Sequence, residues 1–372
     1  VLKRPLSICL INRNYPPNKG ATGYYASHLV DAIRSRAGYD VHVITTGEQK
    51  STADITYVLP VYSGRQKMLR LLGAYRESRL LIDTAVKRTP DVFIVMTDPA
   101  LLNYWASKRL NDKTWVYWSM DLFPEGFKAN KLISERSWMY KRYQSVLKNG
   151  RPSHILGLGR GQINYLKKQY LSEASESFLP IGLRNEGEFT KETTFVKGER
   201  TVGYVGNVGE AHDPSLIADC LLAFAQRNFE VVLRCYGAGS QKLLGLVVDS
   251  AVIIKDRVSD QELKNIDIHI VSLRQEWTHI CVPSKAISAV QCGNTVVYLG
   301  SQESDTWQMT KDAGWMIESA SEVNDVIDTI TAESIDEKKK AARQVAIQLK
   351  ANYKEGLSSF FTFLEKIKSK QT

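Results

Sequence analysis

Apolar residues along this chain fall into two kinds of pattern. Residues 7–11, 41–45, 92–96 and 115–118 are short unbroken apolar runs, and each predicts a strand buried on both faces. Between them, residues 24–36, 67–87 and 99–110 repeat their apolar positions every three or four residues, the period of a helix lying on a sheet. The pattern then starts again: strands at 201–204, 231–236, 252–254, 268–271 and 295–299, and helices over 214–227, near Gln261, over 284–291 and within 320–350. An amphipathic segment at 357–367 closes the chain. Strands separated by helices imply right-handed crossovers and a parallel sheet. The expectation is therefore an α/β protein made of two α/β sandwiches in tandem.

Residues 180–200 mix Pro180, Gly182, Gly187 and Gly198 with charges and read as a linker. This gives a first domain over 1–182, a linker over 183–200, a second domain over 201–352 and a terminal helix over 353–372 that could cross back to the first. Charge changes at the same place. Residues 1–185 hold 28 Lys and Arg against 14 Asp and Glu, whereas residues 186–372 hold 21 against 26. A basic first half suits an anionic partner such as a membrane surface or a phosphorylated acceptor. The basic residues concentrate in 128–170, ten of them against Glu135 alone, with Trp138, Tyr140, Tyr143 and Tyr165 interleaved. Such a segment suits an anionic lipid interface or a solvated helical face. No recognised nucleic-acid module accompanies it.

The five cysteines form no CxxC pair and no metal-ligand spacing with the six histidines. Most sit in apolar runs, as buried free thiols do, so a reducing, cytoplasmic setting is expected. The apolar run at 6–11 is too short and wrongly flanked for a secretion signal, and no run has membrane-spanning length. Membrane contact is expected to be peripheral.

Candidate chemistry begins at residues 201–213, TVGYVGNVGEAHD. An apolar strand stops at Gly206-Asn207-Val208-Gly209, and Asp213-Pro214 restart the chain as N-cap and first helical residue. Strand, glycine turn and helix start converge backbone N–H groups on an anion. The same pattern also makes an ordinary turn between a strand and a helix. Gly20 and Gly23, in the proline and glycine loop at 15–23, let backbone approach a ligand ahead of the helix at 24. Ser284 could cap the helix it begins, while Lys285 is a cation placed against that helix dipole, which a bound anion would explain. Arg274 and His212 belong to the same expected sheet edge, where a histidine can equally be a local hydrogen-bonding residue. Asp98, Asp121 and Glu125 follow strands of the first sheet and are candidates for holding an acceptor hydroxyl, Asp121 foremost.

Four of these stretches, in order, resemble the family 4 retaining glycosyltransferases of the GT-B fold, and most of all their bacterial capsule, colanic-acid and O-antigen subgroup. They are Asn14-Tyr15-Pro16-Pro17 to Gly23 with His28-Leu29, Asp121-Leu122-Phe123-Pro124-Glu125, Tyr204 to Asp213, and Pro283-Ser284-Lys285 with Gly293. The resemblance implies two Rossmann-like domains facing a cleft, with acceptor binding in the first and a nucleotide sugar in the second. It implies transfer of a hexose-type sugar to a lipid-linked or saccharide acceptor with retained configuration and no metal or other cofactor. Donor diphosphate contacts would fall on Gly20, Gly23, Asn207, Gly209, His212, Arg274, Ser284 and Lys285. The chain also departs from the pattern. A glutamate pair of the family falls on Ile280 and Ser288, with Glu276 nearby as a substitute, and Glu210 stands where an arginine often follows the glycine loop. A nucleotide-sugar epimerase or hydrolase of the same fold, and a non-catalytic sugar-nucleotide scaffold, stay open as alternatives.

Overall fold

A computed structural model of the protein describes residues 4–18, 20–60, 67–171, 173–183 and 200–370. The linker expected at 183–200 thus lies, from 184 to 199, outside the described residues. The chain divides into two compact units, Val1–Leu179 with Glu355–Thr372, and Pro180–Lys354.

The first unit is a seven-stranded parallel sheet in the order β3-β2-β1-β4-β5-β6-β7. Its strands are β1 Leu6–Ile11, β2 Tyr39–Thr46, β3 Ile55–Val58, β4 Val92–Val95, β5 Trp115–Ser119, β6 His154–Gly157 and β7 Ser175–Phe178. Helices α1 Ala21–Arg34, α2 Lys67–Val86, α3 Leu102–Arg109, α4 Glu125–Ala129, α5 Trp138–Asn149 and α6 Arg160–Leu166 connect them. β1, β4 and β5 are almost wholly buried, as their unbroken apolar runs require of strands covered on both faces. Sequence periodicity did not reveal β3, β6 or β7.

The second unit is a six-stranded parallel sheet in the order β10-β9-β8-β11-β12-β13. Its strands are β8 Thr201–Asn207, β9 Glu230–Tyr236, β10 Ile253–Ile254, β11 Ile268–Ser272, β12 Thr295–Leu299 and β13 Gly314–Ile317. Its helices are α7 Pro214–Ala225, α8 Ser240–Val247, α9 Asp260–Asn265, α10 Ser284–Gln291, α11 Asp305–Thr310 and α12 Val323–Asp328. Asp213 caps α7, its carboxylate accepting from the N–H groups of Ser215 and Leu216, and Pro214 opens the helix. β8 runs two residues into the expected turn, so Gly206 lies in the strand with φ 138°, where a side chain would be strained.

The terminal segment is one helix, α13 Ala332–Lys370. Gly356 does not break it. A Cβ there would lie 1.8 Å from the Phe178 carbonyl oxygen, so glycine lets the helix pass close beside β7. Beyond it, Phe363 stacks on His154 at 4.5 Å between ring centroids, and Phe361 lies against Tyr39 at 5.9 Å, all within the first unit.

Candidate functional site

In each sheet the strand order reverses once, between β1 and β4 in the first unit and between β8 and β11 in the second. In open parallel sheets the loops beyond the carboxyl ends of such strands part to make a ligand crevice. The candidate residues of each unit gather at these reversals. Matching hydrogen bonds join the paired loops: Arg13 N–H donates to the Asp98 carbonyl at 2.7 Å, and Arg274 N–H donates to the Ala211 carbonyl at 2.8 Å.

In the first unit the loop after β1 turns its polar groups onto Asp98. Asn14 Nδ2 donates to Asp98 Oδ2 at 2.5 Å, and Arg13 Nη1 lies 3.4 Å from Asp98 Oδ1. The same guanidinium grips Glu77 on α2, through Nε to Oε2 at 3.1 Å and through Nη2. Gly20 and Gly23 serve this loop. Cβ atoms on them would lie 3.1 Å from the Asn14 side chain and 2.9 Å from its carbonyl. The space expected for close approach of a ligand is therefore filled by Asn14, and the two glycines seat that asparagine.

Asp121 follows β5 and is fixed by its backbone N–H, which donates to Thr97 Oγ1 at 3.2 Å. Burial, and then the Asp98 carboxylate, push the half-buried Asp121 carboxyl up to about 6. Burial also raises Asp98, but Arg13 and Asn14 oppose it. Asp98 thus has two neighbours that favour its charge, whereas that charge is itself one cause of the rise at Asp121. Glu125 does not join them at the surface. It is 5% exposed and its Oε1 accepts from Tyr170 and, at 3.3 Å, from Tyr165. Burial raises this carboxyl while both phenols favour its ionised form. An acid so enclosed braces the start of α4; it is not placed to hold an acceptor.

In the second unit, Lys285 accounts for its position in the first turn of α10. Its Nζ donates to the Asn207 carbonyl at 2.9 Å and to Tyr204 Oη at 3.2 Å, and it lies 4.5 Å from the Tyr204 ring centroid. The sequence argument asked for an anion here; the structure shows that β8 supplies part of the compensation. A Cβ on Gly206 would sit 2.6 Å from Lys285 Cε, so glycine also makes room for this side chain. Burial lowers the ammonium to about 8, leaving it ready to gain a proton's worth of stabilisation from an arriving anion.

His212 joins the loops after β8 and β11. Its Nδ1 donates to the Ser272 carbonyl at 2.7 Å, which leaves Nε2 as an acceptor. Burial, with Lys285 and Arg274 as neighbouring cations, lowers it to about 4, so it adds no positive charge for a diphosphate. Asn207, Gly209, Arg274 and Glu276 lie on the two loops or the strand end beside it, and Asn207, Arg274 and Glu276 are exposed. Ser284 is the first residue of α10 and makes no cap hydrogen bond, contrary to the expected capping role; Pro283 holds the N-cap position. One turn on, Ser288 spends its hydroxyl on the Gly182 carbonyl at 3.0 Å, which commits it to the 180–183 segment.

Arg13, Glu77 and Thr97 carry much of this geometry and no motif pointed to them, and Tyr204 stood in the glycine-turn stretch with no role of its own. Their partners lie far away in sequence, so no local spacing could. The aromatic residues of 128–170 also divide differently from their order in the chain. Tyr140 and Tyr143 are buried and Tyr165 turns to Glu125, while Leu132, Trp138 and Met139 are exposed, Trp138 at 74%. Among the described residues no group of three or more His, Cys, Asp or Glu could hold a metal ion, and no helix is long and apolar enough to cross a membrane.

Two parallel α/β units in tandem, each with one strand-order reversal, give the chain the GT-B fold. No protein-family model and no curated protein sequence matches the chain. Among solved structures it is similar to sucrose-phosphate synthase from Thermosynechococcus elongatus, with a TM-score of 0.71 at 14% identity over 97% of this chain and 98% of that one. It is also similar to WaaG, a glycosyltransferase involved in lipopolysaccharide biosynthesis, with a TM-score of 0.64 at 16% identity over 91% and 95% of the two chains. A third likeness is to a trehalose-6-phosphate protein from E. coli bound with UDP-2-fluoro glucose, with a TM-score of 0.64 at 10% identity over 97% and 99%.

Proposed function

We propose that the protein is a retaining glycosyltransferase that moves a hexose-type sugar from a nucleotide diphosphate to a lipid-linked or saccharide acceptor in bacterial surface-polysaccharide assembly. The observation that carries this reading is the carboxyl edge of the second sheet, where Lys285 and Arg274 are the cations beside the neutral His212 at the end of β8. Two cations and backbone N–H groups at that edge suit a diphosphate whose negative charge grows as it leaves. The bond from the anomeric carbon to the diphosphate oxygen breaks and a bond to the acceptor oxygen forms on the same face. The acceptor proton passes to the departing phosphate. The charge is met by these groups, so the reaction as proposed uses no metal.

On the first unit, Asp121 accepts a hydrogen bond from the acceptor hydroxyl and orients it, with Asp98 as its charged neighbour. The UDP-sugar bound by the E. coli protein and the lipopolysaccharide role of WaaG support the donor class and the setting. A membrane-borne acceptor agrees with the exposed Leu132, Trp138 and Met139 among the basic residues of 128–170, which we propose as a peripheral contact to an anionic cytoplasmic membrane face. The test is product analysis by mass spectrometry with UDP-, GDP-, ADP- and dTDP-sugars, with and without polyprenyl-diphosphate sugar acceptors. Transfer dependent on the acceptor supports the reading. Release or epimerisation of the sugar without an acceptor replaces it with the hydrolase or epimerase alternative.

A further inference from the structure

Arg13 joins two carboxylates at the carboxyl edge of the first sheet, and the proposed reaction gives it no part. It stands at the start of the loop after β1, where its backbone joins the loop after β4 through the 2.7 Å bond to the Asp98 carbonyl. Its guanidinium bridges two carboxylates from different elements, Glu77 of α2 and Asp98. Glu77 is 2% exposed, and a carboxylate buried to that degree needs a charged partner. Arg13 supplies one and is in turn fixed, because Nε and Nη2 both reach the same Glu77 oxygen. The remaining arm, Nη1, faces Asp98 Oδ1, while Asn14 Nδ2 holds Oδ2.

We propose that Arg13 is a positioning residue which, braced by Glu77, keeps Asp98 as a carboxylate and thereby makes Asp121 the later member of the pair to ionise. The inference rests on the reading of Asp121 as the residue that orients the acceptor. Among the described residues the groups facing the pair are Arg13 and Asn14 from the loop after β1, Glu77 from α2 behind Arg13, and Tyr117 from β5. Burial, and then Glu125 and Asp121, raise the Tyr117 phenol, so it stays protonated throughout. With Arg13 in place the two carboxyls titrate in order, Asp98 and then Asp121. Without it only the Asn14 amide favours the charge on Asp98, and the two titrations draw together.

The decisive experiment follows the 13Cγ signals of Asp98 and Asp121 by NMR from pH 3 to 9, in wild type and in the Arg13→Gln and Arg13→Lys variants. The signals are assigned through Asp98→Asn and Asp121→Asn. Arg13→Gln is expected to raise the first ionisation of the pair by one pH unit or more and to merge the two site curves. Arg13→Lys, which keeps a cation, is expected to preserve the order. The acid limb of kcat/KM should move with the Asp121 curve in Arg13→Gln while KM for the donor stays within twofold. Unchanged 13Cγ curves in a folded Arg13→Gln protein would overturn the proposal, as would Asp121 ionising before Asp98 in wild type. Where Arg13→Gln fails to fold, Arg13→Lys alone decides, because loss of the order there also overturns it. Full activity of Asp121→Asn would instead remove the reading of Asp121 and leave the titration order as an independent result.

Discussion

Replacing Asp121 with asparagine should make the protein more stable and a poorer catalyst, with both effects of predictable size. The carboxyl ordinarily ionises at 3.8 and does so here at about 6, because folding buries it beside the Asp98 carboxylate. A pKa raised on folding means that the native state binds the proton more tightly than the unfolded chain. Ionisation therefore costs nothing below about pH 4, costs progressively more between about 4 and 6, and costs a constant amount above that range. At about 1.4 kcal/mol per pH unit the plateau is near 3 kcal/mol, and the side chain's partial contact with water reduces the expected gain in Asp121→Asn to about 1–3 kcal/mol. For a domain of this size that is a Tm increase of roughly 2–4 °C per kcal/mol at pH 8, vanishing near pH 4. Differential scanning calorimetry at the two pH values reads it directly. Turnover should fall about 10²-fold or more with a much smaller change in donor affinity, as befits a group that orients the acceptor. A variant equally stable at pH 8, or destabilised at both pH values, would refute the electrostatic account of the pair.

Other outcomes follow from the same geometry. Lys285 is lowered to about 8 by burial, and an anion beside it would raise that value; nucleoside diphosphate should thus bind with constant affinity below about pH 8 and about tenfold more weakly by pH 9.5, with proton uptake visible by calorimetry in buffers of different ionisation enthalpy. Glu125→Gln keeps an oxygen that can accept from Tyr165 and Tyr170 and should change stability by less than about 1 kcal/mol. Glu125→Ala removes the buried acceptor that both phenols use and should cost about 2–4 kcal/mol in urea unfolding, so equal losses would refute the tyrosine cage. Trp138→Ala should reduce co-sedimentation with vesicles containing phosphatidylglycerol but not with neutral ones; unchanged binding would remove this face from the membrane contact.

The strands and helices that the sequence made legible are those whose pattern is carried by local physics. β8, Asp213, Pro214 and α7 are a strand, a cap and a helix start, each readable within a few residues. β7, by contrast, reads Ser-Glu-Ser-Phe and lies at the edge of its sheet, where polar residues can face solvent and the apolar run disappears. Gly356 shows the same contrast, because a glycine's cost to a helix is local and its benefit, close passage of Phe178, is not. The site divides in the same way. Lys285 was legible as an anomaly against its helix dipole, but Tyr204, which explains part of it, is 81 residues away. Arg13 and Glu77 are 64 apart and meet only once the sheet has formed. The tyrosines of 128–170 were legible as composition and misleading as surface. On α5, Tyr140, Tyr143 and Leu147 share the buried face, which leaves Trp138 and Met139 outside.

The most direct test of the central claim is isothermal titration of UDP, GDP, ADP and dTDP into the wild-type protein and Lys285→Ala, at pH 7 and without added metal. The account predicts selective binding of one diphosphate to the wild type and a loss of roughly 10- to 100-fold in Lys285→Ala, the worth of a charge-assisted hydrogen bond. Failure of all four to bind, or equal affinity in the two proteins, would contradict it.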